Sequence, residues 1–449
     1  MAPGGIASLT AKAMKLIEKM NEERDDQKSS RLGGPRPMSD PTRAGAFALV
    51  SAVLDHRTPL DQALDALPEM GGRDRAAAHR LAAAVLRRLG SLDAILEPFL
   101  RHAPPVAVRH ALRLGAAGLL LLGTPAHAAV ATAVGLTRSH GFAPFAGLVN
   151  AVLRRLASLG PAAIEGLDGP RLDTPPWLWA AWSPNTRAIA EAHAQEPPLD
   201  LTLKPGSPVP PGGIRLPTGS VRMPPGTRVT ELPGFAEGGF WVQDVAAAMP
   251  ARLLAPRKGE RVADLCAAPG GKSAQLAALG ACVVAVDRDE TRLQRLRSNL
   301  LRLRLEAEMV AADAGEWRSE ERFPAILLDA PCSGTGIIRR HPDITRLRSP
   351  GDIAPLAALQ DRLLEAAVRR LAPGGRLVYA VCSLQADEGP ARVAAALARL
   401  PLVLDPFTPE ELGAMPEALT REGCFSTHPG LWPERGGMDG FFAARLRRH

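Results

Sequence analysis

The stretch V-A-D-L-C-A-A-P-G-G-K-S, Val262–Ser273, decides the fold. It opens with a short apolar run, Val262–Leu265, of the kind that makes a buried parallel strand. It then turns through Gly270 and Gly271 into a predicted helix over Lys272–Leu279. A glycine turn between strand and helix lets backbone approach a ligand and aims the first helical N–H groups at it. Two phosphate-binding readings fail on this string. The dinucleotide fingerprint G-x-G-x-x-G is absent. A P-loop needs glycine five residues before the Gly of G-K-S, and that position is Cys266.

Working outward, further strands are predicted at Cys282–Val286, Glu308–Ala311, Ala325–Leu328 and Arg376–Ala380, with helices over Glu290–Leu303 and Asp352–Leu371. The alternation predicts an α/β fold with a doubly wound parallel sheet, whose ligands sit at the C-terminal strand ends. Asp287 follows Asp264 by 23 residues, one loop–helix–strand return. A carboxylate there accepts from both hydroxyls of a ribose. Asp313 closes the third strand and can accept from an adenine amino group. Acidic strand ends without a phosphate cradle favour S-adenosylmethionine as the ligand.

The fourth strand ends in D-A-P-C-S-G-T-G, Asp329–Gly336, and the fifth in V-Y-A-V-C-S, Val378–Ser383. These strands are neighbours in the usual methyltransferase sheet, so Cys332 and Cys382 are expected to face one cleft. Methyltransferases acting on exocyclic nitrogens carry an Asn/Asp-Pro-Pro-aromatic loop after strand four. Ala330-Pro331-Cys332 points elsewhere. C5 of cytosine is a poor nucleophile, and a thiolate adding to C6 makes it enamine-like, able to take a methyl group. The adduct must then lose the C5 proton and expel sulfur. An acid near N3 stabilises it, and Asp329 is placed for that role.

Upstream, residues 40–160 are periodic in the helical sense. Ala46, Leu49, Val50, Val53 and Leu54 form one apolar stripe behind Pro41. More helices are expected over Arg73–Leu89, Ser91–Leu100, Val106–Leu122, Ala126–Ser139 and Phe145–Leu159. Their exposed faces are expected to carry Arg87, Arg88, Arg101, Arg109, Arg113, Arg154 and Arg155. Trp177, Trp179 and Trp182 are expected to pack a connecting helix. The Pro- and Gly-crowded stretch after Lys204 allows short strands at Leu201–Leu203, Ile214–Leu216 and Thr227–Thr230.

The 449 residues carry 54 Lys and Arg against 47 Asp and Glu, a net charge of +7 that permits a polyanionic partner. No apolar run reaches the roughly 18 residues of a membrane helix. Five scattered Cys without a C-x-x-C pair argue against a disulfide framework or a zinc site, and a cytoplasmic setting is expected. His341 lacks a partner at metal-ligand spacing, so no metal is expected. Cys282 and Cys424 are read as structural. Four of the seven Lys precede residue 38, which sets residues 1–38 apart as a flexible tail, frayed in preference to one short helix at Leu9–Met20; Met38 is a candidate start.

The run Gly123–Arg138, G-T-P-A-H-A-A-V-A-T-A-V-G-L-T-R, followed by Leu148–Leu156, L-V-N-A-V-L-R-R-L, resembles the NusB-type helical RNA-binding fold. Together with A-A-P-G-G-K and the two Cys motifs, the chain resembles the Fmu/Sun (RsmB-like) RNA cytosine-5 methyltransferases. V-Q-D-V-A-A at Val242–Ala247, R-R-H-P-D-I at Arg339–Ile344 and D-G-F-F-A-A-R-L at Asp439–Leu446 extend the resemblance. Of these, the Arg339–Arg340 pair is expected to hold RNA backbone, Asp244 to cap a helix and Asp439 to lie in a turn.

The resemblance implies a Rossmann-like methyltransferase domain behind an all-α NusB-like domain. It divides the chain into a tail (1–38), a helical RNA-binding domain (39–162), a linker with a reduced RNA-binding subdomain (163–238) and the catalytic domain (239–449). It implies S-adenosylmethionine contacts from Cys266, Ala267, Ala268, Pro269, Gly270, Gly271, Lys272, Asp287, Asp313 and Asp329. It also implies that Cys382 is the nucleophile and that Cys332 assists release. DNA cytosine enzymes use the Pro-Cys position as nucleophile, the converse assignment. The implied partner is RNA, small-subunit (16S) ribosomal RNA first, acted on by a monomer without a membrane. A tRNA substrate, or a NusB-like RNA-binding or antitermination factor without turnover, are the alternatives.

Overall fold

The computed structural model describes residues 40–413 and 415–449. The flexible tail expected over residues 1–38, including Leu9–Met20, lies outside the described residues. Pro41 takes the first helical position, where its missing N–H costs nothing. Helices follow at Pro41–Leu54, Leu60–Asp65, Gly72–Arg87, Leu89–Leu96, Val106–Leu120, Ala126–Ser139 and Ala146–Leu159. Ala46, Leu49, Val50 and Val53 are buried against Leu81, Val85, Leu112 and Leu153. Each Leu buried in that way stabilises the bundle by about 1.5–3 kcal/mol.

The arginine surface differs from the expectation. Arg101, Arg154 and Arg155 are exposed, whereas Arg113 is buried and forks onto Asp93 at 2.7 and 2.8 Å. Arg88 pairs with Asp173 at 2.9 Å, and Arg87 donates to the carbonyl of Arg339 at 2.9 Å. Helical periodicity locates the polar side of a helix, but not a second element that later covers it.

Helices Pro176–Ala181 and Thr186–His193 lead out of the bundle. Leu178, Trp182 and Ile189 pack with Ile338, and Trp177 lies against them. Arg171 stacks over Trp179 at 5.2 Å. Next comes a small antiparallel sheet of β1 (Leu199–Leu203), β2 (Ile214–Arg215), β3 (Val221–Met223) and β4 (Phe240–Val242), in the order β2-β3-β1-β4. Thr227–Thr230, expected as a strand, is instead a turn of 3-10 helix at Val229–Glu231. β3 and β4 escaped the sequence reading, and β4 carries this sheet past residue 238.

The large sheet contains β5 (Arg261–Leu265), β6 (Cys282–Asp287), β7 (Glu308–Ala311), β8 (Phe323–Asp329), β9 (Leu371–Val381), β10 (Leu402–Leu404) and β12 (Phe442–Arg448). Its order is β10-β12-β9-β8-β5-β6-β7, with β11 (Phe425–Ser426) pairing to β12. β5 through β9 run parallel, and β12 returns antiparallel to β9. Register sets Leu265 beside Val286 and Leu328, Asp287 beside Ala311, and Asp329 beside Ala380. The fold is therefore an α/β methyltransferase-type sheet behind an all-helical domain, with the strand-end residues along one edge.

Candidate active site

At that edge the loop after β5 bends sharply. Cys266 takes φ +62 and Gly270 φ +101. Cys266 is held in a region L side chains rarely adopt, a kind of strain that clusters at ligand clamps. Only glycine serves at position 270, where an added Cβ would also meet Leu296 Cγ at 2.6 Å. The helix Gly271–Ala278 then starts with its free N–H groups at the edge.

Asp287 holds this loop from β6. One carboxylate oxygen accepts from the Ala268 N–H at 3.0 Å and the other from the Asp289 N–H at 3.0 Å. A carboxylate has about four acceptor positions, so capacity remains for donors of a ligand. Asp313 accepts from the Gly315 N–H at 2.8 Å and makes no side-chain bond to another predicted site residue among the described residues. It still belongs to the local field. Burial pushes the Cys266 thiol up, and the charges of Asp287, Asp329, Asp264 and Asp313 add to it.

Asp264 is the member that the sequence reading left out of the site. It is fully buried; one oxygen accepts from Ser273 Oγ at 2.6 Å and the other has no partner. Burial pushes its carboxyl up to about 7, with the charges of Asp329 and Asp287 contributing. Lys272 Nζ meets Asp329 Oδ2 at 2.7 Å and lies 5.1 Å from the centre of the Phe441 ring. Burial opposes the Lys272 charge, but Asp329 outweighs it and holds the ammonium above the ordinary lysine range.

Beyond Asp329 the chain bends back to β9, so that Cys332 Sγ and Cys382 Sγ stand 3.4 Å apart. Gly336 N–H donates to the Cys382 carbonyl at 3.0 Å, and Gly440 N–H to the Gly336 carbonyl at 2.8 Å. A Cβ on Gly336 would collide with the Gly440 backbone, which explains glycine in both the G-T-G and D-G-F-F motifs. The hydrogen bond to Cys382, together with burial, raises Cys332 well above the ordinary thiol range. Cys282 is exposed at the start of β6 and Cys424 is buried; neither reaches this edge.

The Arg339–Arg340 pair, expected to hold RNA backbone, is instead engaged with two carboxylates. Arg339 donates to Asp439 at 2.7 Å and to Asp244 at 2.9 Å; Arg340 donates to Asp244 at 2.6 Å and to Asp439 at 3.0 Å. Asp244 also accepts from the Ala246 N–H at 2.8 Å, which closes a turn; the next helix, Met249–Leu254, has Ala248 at its N-cap, so Asp244 is not the helix cap expected of it. His341 Nδ1 lies 3.5 Å from Asp61 in the helical domain. Among the described residues no cluster of three metal-ligating side chains occurs.

Comparison with known proteins fits this geometry. The family described as 16S rRNA methyltransferase RsmB/F matches residues 251–447, and the NusB family matches residues 40–158. Ribosomal RNA small subunit methyltransferase B of Sodalis glossinidius is 36% identical over 445 residues, 90% of this chain and 97% of that protein. Its namesake from Pseudomonas putida is 36% identical over 439 residues, 91% of this chain and 98% of that protein. This chain belongs to the RsmB/F methyltransferase family. Among solved structures, the crystal structure of a protein named PH0851 superposes with a TM-score of 0.69, covering 93% of this chain and all of that one. At 23% identity it shows the shared fold. Membership makes the chain an RNA methyltransferase, with S-adenosylmethionine as methyl donor. No helix among the described residues is long and apolar enough to cross a membrane.

Proposed function

We propose that this enzyme methylates C5 of a cytosine in small-subunit ribosomal RNA through a transient bond between Cys382 and C6 of the base. The observation that carries this reading is the pair of thiols, 3.4 Å apart at the ends of adjacent parallel strands, beside the A-A-P-G-G-K loop. Residues Cys266–Lys272, Asp287, Asp313 and Asp329 would hold S-adenosylmethionine. When bound, that cofactor supplies the electrophilic methyl group. The site suits it: a sulfonium, an ammonium and hydroxyl donors call for anions and acceptors. Asp264, Asp287, Asp313 and Asp329 all lie close enough to act on Cys266, and Asp264 has a buried oxygen without a partner.

The Cys382 thiolate adds to C6, and C5 gains the electron density it lacked. Charge then builds toward N3 of the ring. The Lys272–Asp329 pair meets it as a unit, because Lys272 carries the proton and Asp329 accepts from it. After methyl transfer the C5 proton leaves to a base, the C5–C6 double bond re-forms, and the C6–S electron pair returns to Cys382. A Cys332 S–H at 3.4 Å can donate to the departing sulfur.

The helical domain offers Arg101, Arg154 and Arg155 for RNA phosphates. Ribosomal RNA follows from the activity named for the two relatives, and a monomer acting in the cytoplasm accords with it. The test is transfer of labelled methyl groups to purified 16S rRNA and tRNA, with bisulfite sequencing of the products. A 5-methylcytosine in 16S rRNA alone is expected. Label in tRNA alone would reassign the substrate, and none in either RNA would overturn the reading.

A further inference from the structure

Each site cysteine is followed by serine: Cys332-Ser333 and Cys382-Ser383. Both serines converge on one carboxylate, Glu388, which is fully buried in the turn before the helix Pro390–Arg399. Glu388 Oε2 accepts from Ser333 Oγ and Ser383 Oγ, each at 2.5 Å. Oε1 accepts from the Ser333 N–H at 2.8 Å and from Gln360 Nε2 at 3.1 Å. The Glu388 carbonyl accepts from the Tyr379 hydroxyl at 2.5 Å. No Lys, Arg or His forms a salt bridge with Glu388 among the described residues. A buried carboxylate served only by neutral donors is costly to keep. A fold that needed only a brace could obtain it without the charge.

We propose that Glu388 is a positioning residue of this reaction, which fastens both cysteine loops and gives the two sulfurs different tasks. The inference rests on the covalent reading above. The fastening is direct, since one side chain grips the residue that follows each cysteine. Gly336 N–H to the Cys382 carbonyl at 3.0 Å, and Leu384 N–H to Thr335 Oγ1 at 3.0 Å, tie the same loops together.

The division of tasks is electrostatic. The negative charge of Glu388 adds to what keeps the proton on Cys332, and Tyr379 packs on that same side. Lys272, with Asp329, interacts instead with Cys382. Arg348 reaches the Ser333 carbonyl at 3.3 Å. The Glu388 charge therefore acts with burial and the Cys382 contact to hold the proton on Cys332. The protonated Cys332 then donates its S–H to the Cys382 thiolate before attack, and to the leaving sulfur during elimination. No net proton or electron is needed beyond those of the methyl transfer itself.

The test uses the whole chain without RNA. Glu388→Gln keeps an oxygen for Ser333 N–H and Gln360, and offers an amide N–H₂ to the two serine hydroxyls acting as acceptors. It removes the charge and retains most of the brace. Iodoacetamide modification of Cys332 and of Cys382 is followed by peptide mass spectrometry from pH 6 to 11, with circular dichroism as the check on folding. The midpoint for Cys332 should fall by about one pH unit in Glu388→Gln, a tenfold change in its ionisation, while S-adenosylmethionine affinity stays constant.

Ser383→Ala keeps the charge and removes one strut. It should lower turnover on RNA severalfold, with the Cys332 midpoint unmoved. Unchanged midpoints in folded Glu388→Gln would overturn the electrostatic assignment. Full turnover in both variants would overturn the positioning role. Wild-type protein that methylates no RNA, yet shows the shifted midpoint in Glu388→Gln, would refute the proposed function and leave the inequivalent thiols standing.

Discussion

Arg339 Nη2 donates to Asp244 Oδ2 at 2.9 Å, and each side chain is only 2% exposed. With Arg340 and Asp439 they form a buried two-by-two lattice that joins the segment after Cys332 to the start and the end of the catalytic domain. Burial opposes the charge on Asp244, yet the two arginines hold it well below the usual carboxylate range. Removing one member of a buried pair strands its partner, which costs about 3–5 kcal/mol. Arg339→Ala should lose stability of that order in urea unfolding. The salt dependence of RNA binding by the remaining folded protein should not change. A shallower salt slope with normal stability would instead return Arg339 to the RNA contact first expected of it.

That lattice also shows where sequence reading stops. The five parallel strands of the catalytic domain and three of its helices were legible to within about five residues, because each is a short apolar or periodic run between glycine and proline stops, whereas the strands Leu402–Leu404, Phe425–Ser426 and Phe442–Arg448 were not read. The pairing of Cys332 with Cys382 was legible from their strand-end positions together with the strand order of the usual methyltransferase sheet. The lattice was not, since Arg339, Asp244 and Asp439 are far apart in sequence and carry no periodic signal. An Arg-Arg dipeptide reads as a surface until its two acids are known. β3 and β4 were hidden for a different reason: each is a three-residue strand in a stretch dominated by proline and glycine. Glu388 had one faint signal, the Cys-Ser pair repeated at both strand ends, but nothing pointed from those serines to the carboxylate.

Asp287 bears two loads. Its oxygens already receive Ala268 N–H and Asp289 N–H, and the proposed ribose would add two hydroxyl donors. Hydrogen bonds to a charged group are worth roughly 1.5–3 kcal/mol each. Asp287→Ala should therefore weaken S-adenosylmethionine binding at least about tenfold in calorimetry. An unchanged dissociation constant in the folded variant would remove Asp287 from the cofactor site.

Asp264 predicts a pH dependence of stability. Burial raises its carboxyl to about 7 in the folded protein, above the ordinary carboxylate range of the unfolded chain. For a group raised on folding, the stabilising contribution is complete below the unfolded pKa and is lost as pH rises through the folded one. The cofactor-free protein should lose stability progressively between about pH 4 and pH 7 from this residue, by up to roughly 4 kcal/mol. Asp264→Asn, which cannot ionise, should flatten that slope in melting experiments and melt higher than wild type at pH 8. A variant with the wild-type slope would place the titration elsewhere.

The two sulfurs make the sharpest prediction, because the proposed mechanism passes through a protein–RNA thioether. Forming it requires the nucleophile; resolving it requires removal of the C5 proton and departure of sulfur. If Cys382 attacks, Cys382→Ala forms no adduct and is inactive, although the Cys332 thiol stands 3.4 Å from the lost sulfur. Cys332→Ala retains the attacking sulfur and should transfer methyl once. It then lacks the S–H that meets the departing sulfur, and it should accumulate a protein–RNA complex that survives denaturing electrophoresis. Nuclease digestion should collapse that band to the mass of the protein plus a nucleotide remnant. The converse assignment gives the opposite pattern, with adduct from Cys382→Ala and none from Cys332→Ala. That outcome would conflict with the Glu388 charge that helps to keep the proton on Cys332. Activity in both variants with adduct in neither would end the covalent mechanism.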